Sequence, residues 1–271
     1  MAYNYSKYLR NEKLPHIWCP GCTYGIALKS MIRAIDGLDW EKDDIVVTSG
    51  IGCVSRMPGY MDFNTLHTTH GRSIAFATGV KLANPDLKVI ALGGDGDMTA
   101  IGGNHFIHAC RRNIDMTVFV FNNNIYGMTG AQYSPTTPRG AWAATAPYGM
   151  PESNFDITEL AIGSGASFVA RTTSYHTPHC EKMVKEALQH KGLSVVEIIS
   201  ACPTGFGRKN KFKTPTSMLI NMKERAVNIQ KAAKMSDEEM EGKYKIGVLH
   251  KEERPEHVET YDAAVGFQKG V

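Results

Sequence analysis

Two residue patterns in this chain have the types and spacing to do chemistry. The first is Gly93-Gly94-Asp95-Gly96-Asp97-Met98, followed downstream by Asn122-Asn123-Asn124. It approaches the glycine fingerprint of a dinucleotide-binding turn, yet Thr99 stands where the third glycine belongs, and an acid between the first two glycines would repel a bare pyrophosphate. A divalent cation reconciles charge with phosphate. Asp95, the amide oxygen of Asn123 and a nearby backbone carbonyl are hard oxygen ligands suited to Mg²⁺, with a diphosphate and water completing the octahedron. Gly94 and Gly96 would then let the backbone approach the diphosphate, and the helix start that follows would offer N–H groups. The second pattern is four cysteines: Cys19 and Cys22 in Cys-Pro-Gly-Cys, Cys53 in Ile51-Gly52-Cys53, and Cys202 in Ala201-Cys202-Pro203-Thr204. Four thiolates suit a structural zinc or a [4Fe–4S] cluster, and coordination chemistry alone does not separate the two. Cys110 and Cys180 fall within or at the start of expected helices, where a free cysteine behaves as a small apolar residue.

Position makes these patterns meaningful. Ile26, Leu28, Met31, Ile32 and Ile35 recur at helical spacing, and the β-branched run Ile45-Val46-Val47 after them reads as a strand. His70-Gly71-Arg72 opens a second helical stretch through Lys81, closed by Asn84-Pro85, and Lys88 to Leu92 reads as a fully buried strand. The glycine-rich stretch follows it directly as a loop. A helix is expected from about Gly102 to Arg112, then a buried strand from Met116 to Phe121 that ends in the asparagines. Further helices are expected over Ile157 to Ser164 and His179 to His190, with strands at Phe168 to Ala170 and Ser194 to Ile199. The sum is an α/β domain, a doubly wound and mostly parallel sheet, in which ligands gather beyond the carboxyl ends of the strands. Asp95 and Asn123 hold equivalent places there, each just past its strand. The division expected is a domain over residues 1–203 and a C-terminal extension over 204–271, packed on the domain or on a partner. Within the extension Met218 to Lys234 reads as one amphipathic helix and Ser236 to Lys243 as a charged segment. Tyr133 to Phe155, rich in Pro, Gly, Thr and Ala, is the least regular region, and loops of that length are often functional.

Composition narrows the function classes. A length of 271 residues with 42% hydrophobic residues suits one sizeable core. A formal net charge of +3 gives no sign of a nucleic-acid binder. No apolar run of about 20 residues could span a bilayer. The first residues lack the apolar core of a secretory signal, so a reducing cytoplasm and unpaired cysteines are expected.

Gly-Asp-Gly followed about one βαβ unit later by Asn-Asn resembles the thiamine diphosphate motif, here Gly94-Asp95-Gly96 with Asn122-Asn123. Cys-Pro-Gly-Cys near the N-terminus, Gly-Ile-Gly-Cys, His-Gly-Arg, Gly-Gly-Asp-Gly-Asp, Asn-Asn-Asn-Ile-Tyr-Gly-Met-Thr-Gly and Ala-Cys-Pro-Thr-Gly, in that order, resemble the β subunit of a 2-oxoacid:ferredoxin oxidoreductase over nearly the whole chain. The resemblance implies the diphosphate-domain fold of thiamine enzymes. It implies that the backbone carbonyl of Ile125 joins Asp95 and Asn123 on Mg²⁺, and that Cys19, Cys22, Cys53 and Cys202 hold a [4Fe–4S] cluster taking electrons one at a time. Ile51, Gly52, Cys53, Val54, His70, Gly96, Asp97, Gly127 and Met128 would line the thiamine diphosphate.

Thiamine catalysis needs a carboxylate to activate the aminopyrimidine, and by the same resemblance that glutamate belongs to an α subunit. Half an active site is present in this chain, in a heterodimer or a dimer of heterodimers. The implied reaction is coenzyme A-dependent oxidative decarboxylation of a 2-oxoacid with reduction of ferredoxin, reversible as carboxylation. Arg56 sits where the family places a cationic substrate residue, and a guanidinium can clamp a second carboxylate, which favours 2-oxoglutarate over pyruvate, branched-chain or aryl oxoacids. The basic run Arg208, Lys209, Lys211 and Lys213 could steer an acidic ferredoxin or form a solvated loop. The competing readings are a non-redox thiamine enzyme subunit, which leaves the four cysteines idle, and a zinc-stabilised binding module, which leaves Asp95 and Asn123 unexplained.

Overall fold

The computed structural model describes residues 3–267. Eight strands, β1 Ile45–Ser49, β2 Asn64–His67, β3 Lys88–Gly94, β4 Thr117–Asn122, β5 Phe168–Thr173, β6 Ser194–Ile199, β7 Ala226–Asn228 and β8 Tyr244–Lys251, form one sheet in the order β2-β1-β3-β4-β6-β5-β8-β7. All neighbouring pairs are parallel except β5 with β8. The expected doubly wound α/β architecture is therefore present.

The central strands are buried along nearly their whole length, because helices cover both faces. Alternate residues divide between two cores. Ile90, Leu92, Phe119, Phe121, Val196 and Ile198 pack with α1 (Tyr24–Asp36) and α5 (Thr177–Gln189). Val89, Ala91, Val118, Val120 and Val195 pack on the opposite face with α2 (Ser73–Ala83), α3 (Gly103–Arg112) and α4 (Ile157–Gly163).

Three expectations need correction. The glycine-rich stretch is not a loop: β3 runs to Gly94, Asp95 and Gly96 are already helical, and Asp97–Ile101 form a π-helical turn that leads into α3. Burial of Asp97 forces this, since its Oδ1 accepts the backbone N–H groups of Ile51 and Gly71 at 3.2 and 2.7 Å and draws the turn toward them. Widened turns of this kind mark functional sites.

The helix expected over Met218 to Lys234 is broken. Helix α6 (Pro215–Arg225) starts with a capping box between Thr214 and Ser217, then Ala226–Asn228 pairs in parallel with β8, and Asn228 caps the short α7 (Ile229–Ala232). Amphipathic periodicity continued through the sequence, but the unpaired edge of β8 claims the three residues for the sheet. A short α8 (Asp237–Met240) follows, and β8 joins β5 antiparallel, so the chain after residue 203 completes the sheet of the main domain. Helix α9 (His257–Val265) closes the described chain. The third correction is β2, which the sequence reading omitted; it is an exposed edge strand with no apolar run to announce it.

The register fixes what the site needs. Gly94 lies opposite Phe121 and Phe121 opposite Ile198, so the segments after β3, β4 and β6 leave the sheet side by side. Tyr133–Phe155 carries no helix or strand, as expected, but is folded on itself: Gly140 N–H donates to Met150 O and Phe155 N–H to Pro135 O, at 2.8 and 2.7 Å.

Candidate active site

Asp95 is the first residue beyond β3 and is buried. One carboxylate oxygen, Oδ2, accepts the hydroxyls of Ser134 and Thr136, each at 2.5 Å. Burial pushes the carboxyl up to about 6 against the lowering effect of the two hydroxyls. Asn123, just past β4, has its amide fixed from both sides: Ile125 N–H donates to Oδ1 at 3.2 Å, and Nδ2 donates to the Tyr24 hydroxyl at 2.6 Å. Tyr24, Asp95, Asn123 and Ile125 line one cleft of about 70 Å³ together with Ile51, Gly52, Cys53, Val54, His70, Gly96, Asp97, Gly127 and Met128. All the residues expected around the metal and cofactor therefore meet at one sheet end.

Their local roles differ in detail from the sequence reading. Gly96 is glycine because the Tyr126 ring lies against it, where a methyl group would overlap, and the Tyr126 hydroxyl donates to Gly96 O at 3.0 Å. Gly94 faces the cleft, where an added methyl would meet nothing closer than Val54 Cγ1 at 4.0 Å. His70 Nδ1 is hydrogen-bonded to Asp97 Oδ1, which orients the ring, while Asp97 Oδ2 is buried without a partner. Arg56 is exposed on the 3₁₀ turn Val54–Tyr60, where its charge bears on His67; it does not line the cleft.

Behind the asparagines lies a second cavity, of about 300 Å³. Thr136 donates to Asn122 Oδ1 at 3.0 Å, Asn122 Nδ2 to Glu197 at 2.7 Å, and Arg171 to both Glu197 and Asp156 at 2.5 Å. The buried Glu197 and Arg171 satisfy each other, and Asp156 falls to about 2 because Arg171 overrides the raising effect of burial. A continuous polar chain thus runs from Asp95 through β4 and β6 to β5. Ser134, Thr136, Glu197 and Arg171 escaped the sequence reading, since none sits in a glycine- or cysteine-bearing motif; the irregular Tyr133–Phe155 loop was the only signal.

The four cysteines also converge. Cys22 N–H donates to Cys19 O at 3.0 Å, closing a turn whose Gly21 sits at φ +82 against Pro203 and Pro215. Ala201 N–H donates to Thr23 Oγ1 at 2.9 Å, tying this turn to the end of β6. A Cβ at Gly127 would lie 3.3 Å from Cys202 Sγ and 3.7 Å from Cys53 Sγ. Cys202 Sγ accepts the Gly205 N–H at 3.3 Å, and the Trp18 indole donates to Cys53 O at 2.7 Å. Burial raises Cys22 to about 12 and Cys53 to about 11, each raised further by the neighbouring thiols. Among the described residues no three His, Cys, Asp or Glu side chains converge on one ion. Cys110 and Cys180 are buried and free.

Comparison with known proteins bears on these centres. Residues 50–198 match the thiamine pyrophosphate enzyme, C-terminal TPP binding domain. The chain is 51% identical over 253 residues to the 2-oxoglutarate synthase subunit KorB of Methanocaldococcus jannaschii, covering 93% of this chain and 94% of that protein. It is 52% identical to the subunit of the same name from Archaeoglobus fulgidus, covering 97% and 94%. A solved structure described as the 2-oxoglutarate:ferredoxin oxidoreductase from Magnetococcus marinus with 2-oxoglutarate, coenzyme A and succinyl-CoA bound superposes with a TM-score of 0.86 at 35% identity, over 99% of this chain and 93% of that one.

Thr136→Val keeps the shape of the side chain and removes its hydrogen bonds to Asp95 and Asn122. Mg²⁺-dependent cofactor binding, read by titration calorimetry, should weaken roughly tenfold, the scale of a lost charge-assisted hydrogen bond. Because the hydroxyl lowers the Asp95 pKa, the pH midpoint of metal binding should also move upward; an unchanged midpoint and affinity would contradict the assignment.

Proposed function

The chain belongs to the β-subunit family of 2-oxoacid:ferredoxin oxidoreductases, of the 2-oxoglutarate synthase type, and from that premise we propose that its sheet end holds thiamine diphosphate through Mg²⁺ beside a [4Fe–4S] cluster. The observation that carries this reading is the meeting of Asp95, Asn123 and Ile125 with Cys53 in one cleft. When bound, thiamine diphosphate supplies a nucleophilic thiazolium carbon and an electron sink for decarboxylation, and the cluster accepts electrons singly.

This chain's own residues bind and orient. Asp95 Oδ1, Asn123 Oδ1 and the Ile125 carbonyl would hold Mg²⁺, with Ser134 and Thr136 steadying the other oxygen of Asp95. His70 is held by Asp97 through Nδ1, which would leave Nε2 to bind the diphosphate. Ile51, Gly52, Cys53, Val54, Gly96, Gly127 and Met128 would form the apolar wall, and Met128 and Ile51 are exposed enough to meet a partner surface. Cys19, Cys22, Cys53 and Cys202 would ligate the cluster, and Gly127 keeps the gap between Cys53 and Cys202 clear.

The substrate we assign is 2-oxoglutarate with coenzyme A, the compounds bound in the Magnetococcus marinus structure. Arg56, outside the cleft beside His67, is the candidate for the distal carboxylate in the assembled site. The glutamate that activates the cofactor would come from an α subunit in a heterodimer, a reading supported by the relatives' being named as subunits; among the described residues no glutamate lines the cleft. Residues 1–203 carry both centres, while residues 204–271 complete the far edge of the sheet and bear the basic run. Arg208, Lys209, Lys211 and Lys213 are exposed just past Cys202, suited to steering an acidic ferredoxin. Among the described residues no helix is long and apolar enough to cross a membrane, and thiols free to hold a cluster fit a reducing cytoplasm.

Anaerobically purified enzyme should show broad visible absorption that dithionite bleaches, and Cys202→Ser should lose most of it; a colourless protein with stoichiometric zinc contradicts the cluster. Reversing the charges of the basic run should slow ferredoxin reduction and flatten its salt dependence. An unchanged rate and salt slope would remove ferredoxin docking from that surface.

A further inference from the structure

The four cysteines of the sulfur site do not face the same way. Cys53 lines the cofactor cleft and Cys19 does not. Cys19 is also the exposed one of the set, while Cys22, Cys53 and Cys202 are half-buried. The site therefore has an inner side toward the cofactor and an outer side at Cys19. Residues 11–17, just before that outer side, are exposed throughout, and among them Leu14 is 39% and Ile17 62% exposed.

Ile17 is held in solvent by its neighbours. Its N–H donates to the Tyr60 hydroxyl at 3.0 Å. The next residue, Trp18, is buried, with its indole bonded to Cys53 O at 2.7 Å and its ring against those of His16, Tyr24 and Tyr60. A single exposed isoleucine is ordinary, but this one shares a short segment with exposed Leu14, Pro15 and Pro20 beside an exposed cysteine.

The basic run stands next to this apolar segment. An added methyl at Gly21, inside the Cys19–Cys22 turn, would overlap Pro215 and touch Pro203, so the turn is packed on both prolines. These two residues bracket Arg208, Lys209, Lys211 and Lys213. Both feet of the basic loop thus rest on the turn that carries Cys19. The loop is also fixed farther out, because Lys209 lies over the Trp142 ring at 5.1 Å and Asn210 bonds both backbone groups of Trp142.

Resting on the two-centre reading above, we propose that Leu14, Ile17 and Pro20, with the exposed edge of Cys19, form the face on which an acidic one-electron carrier protein docks, and that electrons leave the cluster there. An apolar centre inside a charged rim is the usual anatomy of a protein interface. The basic rim governs how fast the carrier arrives, and the apolar centre how long it stays. The α subunit would occupy the other side, since its glutamate must reach the cleft that Cys53 lines. At each encounter one electron passes from the reduced cluster to the carrier, and a second encounter completes the oxidation of one 2-oxoacid.

The test uses the assembled α/β enzyme with an acidic two-cluster ferredoxin as carrier. Replacing Leu14→Ser and Ile17→Ser together should raise the Kd for oxidised ferredoxin, read by titration calorimetry, about tenfold, the scale of a lost apolar anchor. The salt dependence of binding should keep its slope, since no charge is altered. Reduction of methyl viologen, a small acceptor that needs no docking face, and the visible absorption of the cluster should stay as they are. Ile17→Met keeps an apolar side chain of similar size and should retain the native affinity. In the unsubstituted enzyme, backbone hydrogen exchange over residues 11–21 should slow when ferredoxin is added. Unchanged affinity in the double variant, or unchanged exchange over that segment, would overturn the docking face. So would an equal loss of methyl viologen reduction, which would mark a structural role, or separation of the subunits on gel filtration, which would assign the patch to the α subunit. An unsubstituted enzyme without cluster absorption would instead defeat the two-centre reading, a separately recognisable outcome.

Discussion

The structure depends on keeping one charged carboxylate out of water. Asp95 stands at the end of a strand buried on both faces, in a place where an ionised group is costly unless something compensates for it. Ser134 and Thr136 compensate in part through a single oxygen. On the proposed reading a divalent cation on the other oxygen would complete the compensation, and with it supply the attraction for a diphosphate that the bare carboxylate would repel. Most of the neighbouring architecture either holds the hydroxyls in place or brings Asn123 and Ile125 to the same cleft.

That support reaches a long way. Tyr133–Phe155 is irregular because its task is to carry two hydroxyls into the sheet end, and it is fastened at several points. Thr136 bonds into the Asn122–Glu197–Arg171–Asp156 chain, and Asn210 clamps Trp142 by donating to its carbonyl and accepting its N–H. Asn210 belongs to the segment that follows Cys202, so the loop that steadies the Asp95 carboxylate is also tied to the fourth cysteine. The Glu197–Arg171 pair sits deep in the sheet, where a partner removed from either side would leave an unpaired buried charge. Specific positioning of Asn122 is a clearer return for that arrangement than stability.

Much of this was legible in the sequence, for identifiable reasons. Buried parallel strands announce themselves as apolar runs, so β1, β3, β4, β5 and β6 were all found, and with them the strand ends that carry Asp95, Asn123, Cys53 and Cys202. What escaped was what depends on tertiary partners. β2 is an exposed polar edge, and β7 interrupts a helical periodicity only because β8 is present to pair with it. The helical turn at Asp95–Ile101 is set by contacts of Asp97 with segments far away in sequence. Gly96 was read as space for a diphosphate, whereas Tyr126 needs that space. Ser134, Thr136 and Tyr24 have common side chains in unremarkable contexts, and only the folded geometry turns them toward the site.

The central claim is that a metal-diphosphate centre and an iron–sulfur centre share one end of one sheet. It is tested most directly by electron paramagnetic resonance of the assembled enzyme carrying Mn²⁺ in the Asp95 site, recorded with the cluster oxidised and then reduced. Proximity predicts that reduction of the cluster speeds relaxation of the Mn²⁺ signal, and that Cys202→Ser abolishes the effect. A Mn²⁺ signal indifferent to the oxidation state of the cluster would contradict the account.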